Sequence, residues 1–103
     1  MKPGFMYMWE YFIVSEHTKP FLGAYSASGE WAQLFRRAPG YIRTELHQDG
    51  AQPQRYVTID YWESEAAWDA FRSAFSREFE ELDARGEEWT MTENEIGRFR
   101  PVG

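Results

Sequence analysis

The chain has no cysteine among its 103 residues. This absence excludes disulfide bonds, thiolate metal sites and a thiol nucleophile. Only two histidines are present, His17 and His47, and neither belongs to a helical carboxylate–histidine motif, so we expect no metal site. No run of about 18 apolar residues occurs, so we expect no membrane-spanning helix. The first residues lack the pattern of a secretion signal, and the expected location is the cytoplasm.

An excess of basic residues is also missing. The formal net charge is −6 and the pI is about 4.9. A nucleic acid backbone repels such a charge, so we expect no nucleic acid partner. The densest basic cluster is Arg36 and Arg37, with Arg43 nearby. Two arginines at a helix end are more typical of a favourable helix-dipole interaction than of an anion site.

Aromatic residues, in contrast, are abundant. The chain has five Trp, six Tyr and eight Phe, which together make 18% of its residues. Its length predicts one domain spanning residues 1–103. A core this small needs only a few large rings. The excess predicts either a second buried surface, a pocket walled by rings, or both.

Hydrophobic periodicity predicts four strands and two helical regions. Strands are predicted over residues 7–14, 41–48, 56–62 and 93–100. A helix beginning near Thr18 precedes the second strand; residues 26–29 interrupt it, and Pro39-Gly40 ends its second piece. The linker at residues 49–53 is too short for a crossover, so the second and third strands form an antiparallel hairpin.

The clearest helix begins after Ser64, which we expect to cap it. The helix is predicted to end near Gly86. Its apolar residues recur at three- and four-residue spacing and form one stripe, which consists of Trp68, Phe71, Phe75, Phe79 and Leu82. Charged residues, including Arg72, fall on the solvated side. The resulting order, β-α-β-β-α-β, predicts an α+β ferredoxin-like fold, a four-stranded antiparallel sheet with two helices on one face.

The opposite face of that sheet is also apolar. Val57, Ile59 and Tyr61 alternate with residues that face the helices, so they are left uncovered in a monomer. A second copy of the chain is the simplest cover, and we expect a homodimer.

Four segments carry a resemblance to a known family. They are the strand Met8-Trp9-Glu10-Tyr11-Phe12, the hairpin end Asp60-Tyr61-Trp62-Glu63-Ser64, the helix start at residues 65–71 and the closing Glu95-Ile96-Gly97-Arg98-Phe99. Together they resemble the antibiotic biosynthesis monooxygenase family over about residues 6–100. The resemblance implies a dimeric α/β barrel, in which two ferredoxin-like subunits face their sheets together.

The resemblance also implies a ligand between sheet and helices and a reaction that uses no cofactor. Trp62 and Trp68 match aromatic positions of the family. Tyr11 and Thr58 stand where several relatives have Asn. The helix histidine of haem-degrading relatives is absent, and Phe71 and Phe75 occupy that stretch, so haem is not expected.

The candidate site residues follow from these matches and from the strand pattern. Expected catalytic residues are Asp60, Tyr11 and Thr58. Asp60 facing the helices would be buried with a raised pKa, as a general base requires, but it could equally cap the next helix or pair with an arginine. His47 is a further possible base if it faces the pocket. Expected substrate-binding residues, each of which could instead be core, are Trp62, Trp68, Trp9, Tyr56 and Trp31.

Three functions fit these observations. The leading one is a cofactor-free monooxygenase acting on a hydrophobic aromatic or polyketide-like small molecule. The second is a polyketide cyclase or isomerase using the same pocket without O₂. The third is a dimeric small-ligand-binding protein with no catalysis.

Overall fold

The computed structural model describes residues 2–103 and contains one four-stranded sheet. The strands are β1 (Phe5–Ile13), β2 (Tyr41–Gln48), β3 (Arg55–Trp62) and β4 (Thr90–Phe99). Their order is β2-β3-β1-β4, and every neighbouring pair is antiparallel. The predicted ferredoxin-like α+β fold is confirmed. The first and last strands differ from the prediction, since β1 begins two residues earlier than predicted and β4 three residues earlier.

Two broken helices connect the strands. After a 3₁₀ turn (Ser15–His17), the first crossover holds α1 (Thr18–Tyr25) and α2 (Glu30–Phe35). The second holds α3 (Glu65–Ala74) and α4 (Ser76–Glu87). None of the helices in the described part of the chain has the length and apolar character that crossing a membrane requires.

The second helical region starts as predicted but is not continuous. The Ser64 hydroxyl accepts a hydrogen bond from the Ala67 N–H at 3.1 Å, which caps α3. At Phe75 the backbone leaves helical geometry, with φ −118° and ψ 30°. The Phe75 N–H still bonds to the Phe71 carbonyl, and the Phe79 N–H bonds to the Phe75 carbonyl. The apolar stripe therefore continues across the break, although Phe75 is only half-buried.

Strand alternation divides the sheet into two faces. On β1 the odd-numbered residues point to the helices, and on β3 the even-numbered ones do. The register sets Tyr7 opposite Asp60 and Trp9 opposite Thr58. Two polar side chains of β3 are thereby held beside two rings of β1, beneath the helices.

The other face of the sheet is apolar and lies away from the helices. Its residues are half-buried within the single chain and comprise Met6, Met8, Phe12, Val57, Ile59 and Tyr61. Two ion pairs interrupt this face, one between Arg55 Nε and Glu10 Oε2 at 2.6 Å and one between Arg43 Nε and Glu45 Oε2 at 3.1 Å. The predicted apolar second face is therefore present along β1 and β3, with charged residues at its β2 side.

Aromatic rings build the core in two groups. At one end Trp62 is fully buried and packs on Phe35, Trp68 and Phe71 with ring centroids 5.5–5.6 Å apart. At the other end a second group forms around Phe21, which stacks on Tyr25 at 4.5 Å. A cavity is lined by members of both groups.

Candidate functional site

The cavity lies between the helix-facing side of the sheet and the helices, and its volume is about 260 Å³. Residues from all four strands and from α1–α4 line it. They are Tyr7, Trp9, Tyr25, Trp31, Phe35, Thr44, Thr58, Asp60, Trp68, Arg72, Phe79, Asp83, Glu93, Glu95 and Arg98.

Asp60 is the buried acidic group of this cavity, with 5% of its surface exposed. The register of β2 with β3 places Thr44 directly opposite. The Thr44 hydroxyl donates to Asp60 Oδ1 at 2.5 Å, and the Tyr41 hydroxyl lies 2.8 Å from Thr44 Oγ1. Asp60 is neither a helix cap, since Ser64 fills that role, nor part of any ion pair within residues 2–103.

Burial raises the pKa of Asp60 from 3.8 to about 7. Removing the carboxylate from water disfavours its charged form. The Thr44 hydrogen bond and the Tyr7 hydroxyl oppose this effect and lower the pKa, but they do not cancel it. A carboxyl group with a pKa near neutral pH can accept a proton in one step and return it in the next.

The hydroxyl of Tyr7 stays protonated beside this carboxyl group. Burial raises the pKa of Tyr7 well above 10.0, and the negative charge of Asp60 raises it further. Tyr7 is thus available as a neutral hydrogen-bond donor at the cavity wall. Its ring packs against Trp68 with centroids 4.6 Å apart.

Rings make most of the remaining wall. Trp31 and Phe79 meet edge to face at 4.9 Å, and Phe35 meets Trp68 in the same way at 6.2 Å. Trp9 adds a half-buried indole from the sheet. These faces form a surface suited to a flat apolar ligand.

A charged rim borders the cavity on the side of β4 and α4. Arg98 pairs with Glu95 at 3.4 Å. Burial raises the pKa of Glu93, and the negative charges of Asp83 and Glu87 raise it further. The Thr90 hydroxyl opposes this rise. Carboxylates here therefore repel one another.

Arg72 is the second cation at the edge of the cavity and, unlike Arg98, forms no ion pair within residues 2–103. Its guanidinium lies 3.7 Å above the Phe79 ring. Its Nη1 is buried without a hydrogen-bond partner, and no carboxylate oxygen in residues 2–103 lies within 4.0 Å of the side chain. The group is therefore a charged donor with unused hydrogen-bonding capacity.

The structure brings five of the predicted site residues to the cavity and leaves three outside it. Those at the cavity are Asp60, Thr58, Trp9, Trp31 and Trp68.

The other three are Tyr11, Tyr56 and Trp62, all buried in the core beside the cavity. Trp62 has no exposed surface because rings enclose it. The Tyr11 ring packs on the Tyr25 ring with centroids 4.9 Å apart. Burial raises the pKa of Tyr11 well above 10.0, although the Thr58 hydroxyl opposes this effect. Tyr11 therefore contacts a cavity residue without lining the cavity.

His47 does not face the cavity and so cannot act as a base there. It lies on the outer side of β2 and is exposed, 3.1 Å from Glu45 Oε1. The alternation of β2 explains this, because Thr44 and Leu46 take the helix-facing positions.

Among the cavity-lining residues that the sequence analysis did not identify, three supply hydrogen-bond donors to the site: Tyr7, Thr44 and Arg72. Tyr7 has the same strand parity as Tyr11, and this signal could have identified it. Thr44 lies on the buried parity of β2, but its pairing with Asp60 depends on strand register, which the hairpin sequence does not specify. Arg72 was assigned to the solvated side of its helix; its long side chain folds back over Phe79.

The fold and the cavity define a ferredoxin-like α+β domain with a largely aromatic cavity between its sheet and its helices. The family model described as antibiotic biosynthesis monooxygenase matches residues 10–81, and the chain belongs to that family. No curated protein matches the chain in sequence.

Solved structures share the fold at low sequence identity. One is SnoaB, described as a cofactor-independent oxygenase from Streptomyces nogalater. It is 16% identical, with 99% of this chain and 96% of that chain covered and a TM-score of 0.75. Another is a candidate antibiotic biosynthesis monooxygenase from Bordetella bronchiseptica, 21% identical, with coverage of 98% and 99% and a TM-score of 0.73. At these identities the likeness establishes the fold.

Proposed function

We propose that the protein is a cofactor-independent monooxygenase for an aromatic or polyketide-like small molecule. The observation that carries this proposal is a buried carboxyl group, Asp60, with a pKa of about 7 in an aromatic-walled cavity. Such a site can remove a weakly acidic proton from a bound ring. Membership of the monooxygenase family and the similarity to SnoaB support the same reaction type.

Binding in this proposal depends on the aromatic walls. A flat ring system stacks on Trp68 and Trp31 and is covered by Trp9 from the sheet. Each favourable aromatic pair contributes about 0.5–1.5 kcal/mol beyond area burial. The polar groups orient the ligand's oxygen atoms toward Asp60 and Thr58.

The chemistry begins when Asp60 accepts a proton from an acidic methylene or hydroxyl group of the ligand. Tyr7 and Arg72 are the cavity donors suited to stabilising the resulting anion, since one is neutral and the other is a cation. The ligand anion transfers one electron to O₂, and the two radicals combine into a carbon–oxygen bond. Asp60 returns the first proton to the terminal oxygen of the resulting peroxide anion. It then removes the second C–H proton as the O–O bond breaks, and the departing hydroxide takes up this proton, so that CH₂ plus O₂ becomes C=O plus H₂O.

The three core residues act indirectly in this proposal. Tyr11 positions Thr58, whereas Trp62 and Tyr56 fix the strand that carries Asp60. Substitution of these residues should therefore affect stability and geometry more than proton transfer.

The active form in this proposal is a cytoplasmic homodimer. The apolar outer face supports dimerisation, because its methionine, valine, isoleucine and tyrosine side chains lie uncovered in one chain. The cytoplasmic assignment relies on the absence of cysteine, which removes any need for an oxidising compartment.

A panel of anthrones and naphthols, assayed for O₂ uptake above the uncatalysed rate, tests the proposal. Trp68→Ala should weaken binding and uptake together. Trp89→Ala is the matched control, because Trp89 packs against the core without lining the cavity. Ligand binding without O₂ uptake would instead favour the cyclase, isomerase or binding-protein function.

A further inference from the structure

Three oxygen-bearing side chains form a continuous hydrogen-bonded row that starts at Asp60. Thr44 Oγ1 donates to Asp60 Oδ1 at 2.5 Å, and Tyr41 Oη lies 2.8 Å from Thr44 Oγ1. A hydroxyl has a single proton, and Thr44 gives its own to Asp60. The Tyr41 hydroxyl must therefore be the donor to Thr44, so both hydrogen bonds point toward the carboxylate.

This row extends from the cavity wall to a residue outside the cavity. Asp60 and Thr44 line the cavity and are 5% exposed, whereas Tyr41 does not line it and is half-buried. Tyr41 is the first residue of β2, which is an edge strand of the sheet. Its ring packs on Phe35 and Trp62, each at 5.5 Å, and this packing fixes its hydroxyl toward Thr44.

We propose that Thr44 and Tyr41 form a proton-transfer path between Asp60 and the solvent at the β2 edge. The inference rests on the proposed role of Asp60 as base. With the hydrogen bonds pointing toward the carboxylate, water gives a proton to Tyr41 Oη while the Tyr41 proton passes to Thr44 Oγ1 and the Thr44 proton passes to Asp60. Each hydroxyl loses one proton and gains one, and no electron moves. The reverse sequence, with both hydroxyls rotated outward, returns the proton of Asp60 to water.

The path matters when the cavity is full. A ring bound against Trp68 and Trp31 displaces water from the cavity, so Asp60 loses direct exchange with solvent from that side. The row through β2 still connects Asp60 to a group outside the cavity, because Tyr41 does not line it. Asp60 can then reset its protonation state without release of the ligand.

Deuterium exchange under anaerobic conditions tests this path without the oxygenation step. The protein is mixed with saturating anthrone in D₂O, and exchange of the anthrone methylene protons is followed by NMR. Saturation keeps the cavity occupied. Tyr41→Phe should slow exchange about 100-fold or more, within the range by which a positioned acid–base group contributes. Thr44→Val should have the same effect, and Thr44→Ser should restore exchange because it retains the hydroxyl.

The matched control is Tyr61→Phe, which removes a hydroxyl from the opposite face of the same sheet, 3.4 Å from Glu45 Oε1. It should exchange at the wild-type rate. Melting temperature and anthrone affinity of Tyr41→Phe should also equal those of wild type, since the ring is retained.

Equal exchange rates in wild type and Tyr41→Phe would overturn the path, and so would a wild-type protein that exchanges no faster than buffer. A different result would contradict the proposed function while leaving the proton-transfer path in place. Wild-type exchange that depends on Tyr41, without any O₂ uptake, would contradict the monooxygenase and retain the path.

Discussion

At the scale of single residues, the chemistry of this chain centres on one buried carboxyl group. Asp60 is held between Thr44 and Tyr7 with no cation against it. Most buried carboxylates in proteins are paired with a cation, and an unpaired one destabilises the fold when it is charged. A buried carboxyl group with a shifted pKa inside a cavity is typical of a functional site.

The first prediction concerns stability and pH. The pKa of Asp60 is 3.8 in the unfolded chain and about 7 in the fold, so between these values the folded state holds a proton that the unfolded state has lost. Stability therefore falls as pH rises through this window, by about 4 kcal/mol in all. Asp60→Asn should remove this fall and raise the melting temperature at pH 8.

Urea unfolding of both proteins at pH 5 and pH 8 measures the effect. A wild-type free energy of unfolding with the same pH dependence as that of Asp60→Asn would show that the carboxyl group is not buried in its neutral form.

The second prediction concerns Arg72. An arginine close to a bound naphthol should lower the pKa of the naphthol hydroxyl, by about one unit or more. Arg72→Met keeps the packing on Phe79 and loses the charge, so the pKa of the bound naphthol should rise. Fluorescence of naphthol and naphtholate reports this pKa directly. Arg77→Met, at an exposed position on α4, is the control. Identical values in the two variants would remove Arg72 from the site.

Residue types alone predicted part of the site. The alternation of β3 indicated that Thr58, Asp60 and Trp62 share one face, and it indicated the raised pKa of Asp60. It could not separate Trp62, enclosed by rings, from Trp68, which reaches the cavity. That distinction depends on how α3 lies across the sheet, and this packing angle is not encoded in a strand pattern.

At the scale of secondary structure, the helix that carries the long apolar stripe breaks at Phe75, but the stripe continues on the same side of the next helix. Ser64, predicted as the cap of α3, has that role. The break at Phe75 was not predicted, because three- and four-residue spacing continues through a single non-helical residue. The break moves Phe75 toward the surface, where Arg37 lies 5.0 Å from its ring centroid.

The third prediction follows from this difference in burial. Phe71 is 1% exposed, whereas Phe75 is half-buried. Phe71→Ala should cost about 3–5 kcal/mol in the free energy of unfolding, as expected for a buried phenylalanine. Phe75→Ala should cost less, because part of its ring already contacts water. Chemical denaturation of the two variants checks the order, and a larger loss for Phe75→Ala would contradict the described packing.

At the scale of the whole molecule, a sheet with two apolar faces explains the aromatic excess. The helices cover one face, where most of the tryptophans and phenylalanines lie. The opposite face has Met6, Met8 and Phe12 beside the β3 residues Val57, Ile59 and Tyr61. The sequence indicated both faces correctly because period-two alternation is a local property. Assembly depends on a second chain, so it remains a prediction.

The fourth prediction is therefore a dimer of twice 12.2 kDa in light scattering. Ile59→Lys places a charge at the centre of the outer face and should shift the protein toward monomer. Ala66→Lys, at an exposed position of α3, adds the same charge and should leave the dimer intact. A wild-type mass of 12.2 kDa at micromolar concentration would contradict the assembly.

The most direct test of the central claim is O₂ uptake with anthrone, measured across pH for wild type and Asp60→Asn. The wild-type rate should exceed the uncatalysed one and should rise with pH through about 7, as Asp60 becomes a carboxylate able to accept a proton. Asp60→Asn should bind anthrone with similar affinity but lose about 10²–10⁴-fold in rate. Equal rates and pH profiles for the two proteins would contradict the assignment of Asp60 as the base of a cofactor-independent oxygenation.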